Sequence, residues 1–218
     1  MGEEKRKNLP PMENRSQEFS VKVDKSKEGS VIVGKPVVYG YRAHLPKFDE
    51  IIEPGALDGA DLSDVRFFIN HEERGIPFAR SRKQNEKSTM ILLPDETGLN
   101  IWLELDTERN YQARALYSAV EREDITGMSY RFSVLEDWWE STFTDRPVRH
   151  VTKIGSIVEV SAVNYPAYSQ SEIYARDEEK ALENADFALE NARKRATKAA
   201  EAAEIMLLKE KIKLLGGI

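Results

Sequence analysis

Residues 128–134 read Met-Ser-Tyr-Arg-Phe-Ser-Val, so that Met128, Tyr130, Phe132 and Val134 alternate with Ser129, Arg131 and Ser133. A period of two places the four apolar side chains on one face of a strand and the three polar ones on the other. The same alternation returns at Ile157–Val163, where Val158, Val160 and Ala162 share one face and Glu159 points with Ser161 to the other. Leu99, Ile101, Leu103 and Leu105 alternate with Asn100, Trp102 and Glu104, the pattern of a half-buried strand. Val65–Ile69 predicts a further strand that leads into Asn70 and His71, and Val31–Tyr41, broken by Gly34 and Pro36, predicts two strands or one bulged strand. One segment departs from this period. Between Thr107 and Glu123, Tyr111, Ala115, Leu116, Ala119 and Val120 recur at helical spacing. The chain is therefore expected to be mainly β with peripheral helices.

The ends differ from the middle. Residues 1–18 carry many charges, the pair Pro10-Pro11 and little to bury, and are expected to form a disordered N-terminal arm. Residues 19–176 hold the strand-period segments and are expected to be the domain. From 177 to 218 the composition turns to Ala, Glu and Lys, and Ala185, Leu189, Ala192, Ala196, Ala199, Ala203 and Met206 follow a three-four spacing. This predicts a C-terminal helical tail. A seam so rich in alanine is weak alone, so the tail is expected to dock on a scaffold or another subunit, or else to pack loosely on its own domain.

Charge and cysteine content narrow the chemistry. The formal net charge is −6 and cysteine is absent, which speaks against a nucleic-acid binder and removes disulfides, thiolate metal sites and a cysteine nucleophile. The N-terminal residues lack the apolar stretch of a signal peptide, and no apolar run approaches the roughly 20 residues that span a bilayer. No membrane partner is expected. The three histidines, His44, His71 and His150, show no metal-ligand spacing, and there is no glycine-rich phosphate loop. No cofactor or metal is expected. What remains is acid–base and nucleophile chemistry from Ser, His and carboxylates.

If the strands around 65–71, 128–134 and 157–163 are neighbours, Ser129, His71 and Glu159 meet on one polar face. A hydroxyl becomes a nucleophile when a base takes its proton, and the base needs a partner that fixes its tautomer and stabilises its cation. These three residues can fill those roles in that order. Spacing alone leaves the ordinary alternatives open: a strand serine, an exposed loop histidine and a surface carboxylate.

A resemblance narrows them. The blocks Val38-Tyr39-Gly40-Tyr41, Glu53-Pro54-Gly55-Ala56-Leu57 and Phe67-Phe68-Ile69-Asn70-His71-Glu72 are followed by Pro77-Phe78-Ala79-Arg80 and Thr97-Gly98-Leu99. Ile125-Thr126-Gly127-Met128-Ser129-Tyr130-Arg131-Phe132 comes next, and Val158 through Tyr168 closes the series. In this order they resemble the HK97-type prohead (procapsid) maturation proteases of tailed phages. The resemblance implies a closed β-barrel like that of the herpesvirus assemblin protease, with Ser129 as nucleophile and His71 as base. For the third member it favours Glu159. His150, which follows the serine as the second histidine of assemblins does, is an alternative, as are Glu72 and Asp124. Backbone amides near Gly127 to Tyr130 are candidates for an oxyanion hole, and Arg131 is a weaker one beside the ordinary reading of a surface arginine.

The resemblance further implies a serine endopeptidase acting inside the procapsid in the host bacterial cytoplasm. Its substrates would be the scaffolding region of the major capsid protein and the protease itself; a homo-oligomer is left open. Two other classes compete: a non-catalytic capsid assembly or scaffolding protein on the same fold, and an unrelated β-barrel binding module with a helical oligomerisation tail.

Overall fold

The computed structural model describes residues 11–17, 21–26, 29–82, 87–164 and 172–215. Its strands are β1 (Met12–Gln17), β2 (Lys22–Val23), β3 (Ser30–Val38), β4 (Arg42–His44), β5 (Asp49–Ile52), β6 (Asp64–Ile69), β7 (Ala79–Arg82), β8 (Met90–Asp95), β9 (Gly98–Leu105), β10 (Gly127–Glu140) and β11 (Val148–Val163). Two helices, α1 (Tyr111–Glu121) and α2 (Glu172–Leu215), complete the described elements.

β11 is the spine of the larger sheet. Along one edge it pairs antiparallel with β10 over nearly the whole length of both strands. Its other edge is shared by two short parallel strands: β5 lies against Val148–Val151 and β6 against Glu159–Ala162. β1 adds to the free edge of β10, β4 to β5 and β7 to β6. The smaller sheet runs β2-β3-β9-β8. β3 is a single bulged strand, with its register against β9 shifting between Gly34 and Val37. A Cβ at Gly34 would fall 2.3 Å from the sulfur of Met128, so any side chain there would force Met128 to repack.

The core forms where the apolar faces of the two sheets meet. Leu99, Ile101, Leu103 and Leu105 of β9 are buried, as are Met128, Tyr130 and Phe132 of β10 and Val160 and Ala162 of β11. Each large aliphatic or Phe side chain among these removed from water contributes about 1.5–3 kcal/mol, and this fixes the strand faces: a one-residue slip of β10 would exchange Tyr130 for Ser129 in the core. α1 begins at Asn110, whose Oδ1 accepts from the backbone N–H of Gln112 and Ala113 at 3.0 and 3.3 Å, and it buries Ala113, Leu116 and Val120.

The structure corrects the expected architecture. No closed barrel is present. The larger sheet ends on β1 at one side and on β4 and β7 at the other, the smaller on β2 and β8, and among the described residues no ladder joins one sheet to the other. Closure requires the last strand to pair with the first, and instead the two open, mixed and antiparallel sheets face each other across the core.

Two further differences concern the ends. Met12–Gln17, within the segment expected to be a disordered arm, form β1, because Glu13 and Arg15 find buried partners of opposite charge. α2 runs from Glu172 to Leu215 without a break at the expected boundary of 176 and 177. Within it Ala185 and Leu189 are buried, Asp186 pairs with Lys47, and Arg193 Nε donates to the carbonyl of Thr142 at 2.7 Å. The first part of the alanine seam thus packs on the chain's own domain, whereas Ile205, Met206, Leu207 and Leu208 are exposed. Among the described residues no helix is long and apolar enough to cross a membrane.

Candidate active site

Three adjacent strands place the polar residues singled out above. Ser129 on β10 is opposite Ser161 on β11, and Ser161 is in turn opposite Phe68 on β6. The chain leaves β6 at Ile69 and turns at Asn70 and His71, both with positive φ (49° and 56°). Two consecutive non-glycine residues in the left-handed region are costly, and they persist only where the surroundings over-determine them. Here the end of β11 does so. Asn70 N donates to the carbonyl of Ala162 at 2.9 Å, Asn164 N donates to Asn70 Oδ1 at 3.1 Å, and His71 N donates to Ser161 Oγ at 3.2 Å.

This turn puts the imidazole between a hydroxyl and a carboxylate. His71 Nε2 lies 2.6 Å from Ser129 Oγ, and His71 Nδ1 lies 2.9 Å from Glu159 Oε1. Glu159 also accepts from the hydroxyl of Ser161. Ser129, Ser161 and Glu159 are buried. Burial pushes the Glu159 carboxyl up, but its hydrogen bond to His71 and the charge interaction between them, with the Ser161 hydroxyl adding, hold it below the ordinary glutamate value. A carboxylate that stays ionised fixes the Nδ1–H tautomer and leaves Nε2 free to take a proton from a hydroxyl.

The other residues named from the sequence lie elsewhere or do other things. His150 precedes Ser161 by eleven residues on β11, about 36 Å at about 3.3 Å per residue. It is stacked on Trp138 with centroids 3.8 Å apart, and its ring nitrogens face Glu53 and Glu140 at 2.6 and 3.3 Å. Asp124 pairs with Arg122, and Glu72 is an exposed residue of the His71 turn. Arg131 is ion-paired with Glu73, and both line a pocket together with Glu159. The side chain of Tyr130 is fully buried in the core. Gly127 opens β10 opposite Val163, and from Met128 to Ser133 the strand is paired with β1 on one side and β11 on the other. Backbone amides in this stretch are thus engaged in ladders. The Tyr165–Tyr168 end of the last sequence block falls outside the described residues.

Two contributors were not singled out as site residues. Ser161 shares the polar face of Glu159 in the sequence pattern, and that was the signal available for it. Arg15 had none, because its link to the site is its backbone carbonyl, which accepts from Ser129 Oγ at 2.8 Å. An apolar groove of about 430 Å³ flanks the His71 turn, lined by Phe68, Ile69, Ile76 and Phe78 together with Tyr111 and Ala115 of α1. Among the described residues no group of three or more His, Asp and Glu side chains is placed to hold a metal ion.

No curated protein and no solved structure matches the chain. A family model described as caudovirus prohead serine protease matches residues 17–185. That span is most of the chain and contains β6, β10 and β11 with Ser129, His71 and Glu159. The chain therefore belongs to the caudovirus prohead serine protease family.

Proposed function

We propose that this chain is the serine endopeptidase of procapsid maturation, with Ser129 as nucleophile, His71 as general base and acid, and Glu159 as the carboxylate that orients the imidazole. The observation that carries this reading is the position of one imidazole, 2.6 Å from Ser129 Oγ through Nε2 and 2.9 Å from Glu159 through Nδ1. Proton transfer needs heavy atoms within about 2.6–3.2 Å, and both contacts lie in that range.

In the proposed reaction His71 Nε2 takes the Ser129 proton as Oγ attacks a peptide carbonyl carbon. The carbon–nitrogen bond then breaks as His71 returns the proton to the departing amine, and a water activated by the same imidazole hydrolyses the acyl-enzyme. Glu159 keeps its negative charge throughout and stabilises the imidazolium. Membership of the family supports action on phage capsid proteins within the procapsid. The finer substrates we propose are the scaffolding region of the major capsid protein and the chain itself, with the exposed distal part of α2 as the element that docks the protease during assembly.

Co-expression with the major capsid protein, followed by mass mapping of the fragments, tests the reading. Cleavage that disappears in Ser129→Ala supports it. Capsid protein processed equally by the wild type and by Ser129→Ala overturns it.

A further inference from the structure

The hydroxyl of Ser129 is covered by the chain's own N-terminal strand. β1 lies antiparallel on the outer edge of β10, with Arg15 opposite Tyr130 and Ser16 opposite Ser129, and Ser129 is left with no accessible surface. A serine hydroxyl carries one proton. Given to the Arg15 carbonyl at 2.8 Å, that proton is not available to His71 Nε2 at 2.6 Å. The contact is through the carbonyl oxygen, so β1 is held as a cap and not as a peptide under attack.

An extended peptide reaches a residue in the middle of a strand by adding to that strand's edge, where main-chain hydrogen bonds set its register. β10 has two edges. β11 occupies one from Gly127 to Glu140, so the edge open to a substrate strand beside Ser129 is the one that β1 holds. The family match begins at residue 17, the last residue of β1.

Charge explains how β1 can be held and yet leave. Arg15 donates from Nε and Nη2 to the two oxygens of Glu50 at 2.5 and 2.7 Å, and from Nη2 to Glu13 at 2.6 Å. Arg149 Nη1 donates to Glu13 at 2.7 Å and to Glu50 at 3.2 Å. All four side chains are buried. β1 brings one acid and one base to this cluster, and it leaves Glu50 and Arg149 paired with each other, with Asp137 a further partner of Arg149 Nε at 2.7 Å. In neither state is Glu50 or Arg149 left without a partner of opposite charge, the condition that would make removal of β1 prohibitive.

We propose that β1 is a displaceable plug in the substrate channel, and that Glu50 and Arg149 beneath it read the incoming peptide. The residue whose carbonyl lies at Ser129 is then preferred as arginine, for Glu50, and the residue two positions before it as an acid, for Arg149. Substrates are accordingly extended segments with an acid-x-arginine pattern, cleaved after the arginine. This rests on Ser129 being the nucleophile.

The chain has no cysteine, so a lock can be engineered cleanly. Met12 and Ser133 are cross-strand partners in β1 and β10, at a spacing suited to a disulfide. In the full chain carrying Met12→Cys and Ser133→Cys, labelling of Ser129 by a fluorophosphonate should be about 100-fold slower when oxidised and recover on reduction. Independently, Arg15→Ala in the full chain should label about tenfold faster than the wild type, because the charge-assisted bonds that hold β1 are gone. With Arg15→Ala as enzyme, a peptide containing Glu-x-Arg should be cleaved at least about tenfold faster than the same peptide with Gln-x-Leu. Equal labelling of the oxidised and reduced forms overturns the plug while leaving the nucleophile in place, and equal cleavage of the two peptides overturns the reading of Glu50. Absence of labelling in every form, Arg15→Ala included, overturns the nucleophile assignment on which the plug depends.

Discussion

Ser129 and Ser161 face each other across β10 and β11, and their hydroxyls meet opposite ends of the same residue. Ser129 Oγ lies against the Nε2 of His71, while Ser161 Oγ accepts from the His71 backbone N–H and donates to the carboxylate bound at Nδ1. One cross-strand register pair therefore holds both the ring and the left-handed backbone that carries it.

Ser161 is accordingly expected to act through Glu159 and His71 and not on the substrate. Ser161→Ala should lower kcat/KM by roughly 10- to 100-fold, the scale of a hydrogen bond to a charged group. Because the carboxylate loses a donor, the acid limb of the pH–rate profile should move toward higher pH. Ser161→Thr, which keeps the hydroxyl, should restore most of the activity. An unchanged pH profile would reduce Ser161 to a packing residue.

For the central pair, Ser129→Ala and His71→Ala should each remove peptide hydrolysis by a factor on the order of 10⁶, and the double variant should be no worse, since neither group works alone. Glu159→Gln keeps the shape but not the charge, and a loss of about 10⁴ in kcat is expected. Steady-state rates on one peptide substrate give all four numbers. A single variant within tenfold of the wild type would break the assignment.

His150→Ala separates this arrangement from a second-histidine one. The ring is committed to Trp138, Glu53 and Glu140, far along β11 from Ser161. The variant should keep hydrolysis near the wild-type rate and lower the melting temperature, as expected when a stacked, hydrogen-bonded ring is removed. A loss of activity exceeding that of Glu159→Gln would reverse the two roles.

Period-two alternation was enough to read β9 and β10 and the Glu159–Ala162 part of β11, but it does not reveal β4, β5, β7 or β8, and the register shift beside Val158 puts Ile157 in the core instead. The alternation separated Ser129 from Tyr130 and grouped Glu159 with Ser161 before any contact was known, and it showed β9 by its four leucine and isoleucine positions. Closure of a sheet is another matter, because it depends on which edge strands pair across the whole fold, and a strand's own residues do not encode that. β1 is not legible in the sequence for a related reason. Glu13 and Arg15 read as solvated charges in a polar segment, while their partners are Glu50, 35 positions from Arg15, and Arg149, 136 positions from Glu13. The grouping of Ser129, His71 and Glu159 rested on the resemblance, since alternation places a residue on a face without saying which strands are neighbours.

Acid should destabilise the fold through those same buried carboxylates. Burial pushes Glu13 up, but Arg15 and Arg149 outweigh it and hold the carboxyl below its ordinary value of 4.5, and Glu159 is likewise held below 4.5 beside His71. A carboxyl whose folded pKa is depressed adds stability that is complete above its unfolded value and is lost as pH falls through the folded one. Urea midpoints should therefore hold above about pH 5 and decline below about pH 4.5, and Glu13→Gln should flatten that decline. A midpoint unchanged down to about pH 3 would contradict the directions of both shifts.

The last prediction divides α2. Its contacts with the domain lie early: Ala185 and Leu189 are buried, Asp186 pairs with Lys47, and Arg193 Nε donates to the Thr142 carbonyl. From Glu201 to Lys211 every residue is exposed. A chain ending at Ala200 should then melt like the full-length protein and hydrolyse peptides at the same rate. A chain ending at Arg176 loses Ala185 and Leu189 from the interface and should be less stable by about 2–4 kcal/mol, the scale of burying one leucine and one smaller apolar residue. If the exposed end serves assembly, the chain ending at Ala200, carrying Ser129→Ala to prevent cleavage, should be incorporated into procapsids in fewer copies than the full-length Ser129→Ala protein. Equal copy numbers would remove docking from the functions of α2, and equal stability of the two truncated chains would remove its packing role.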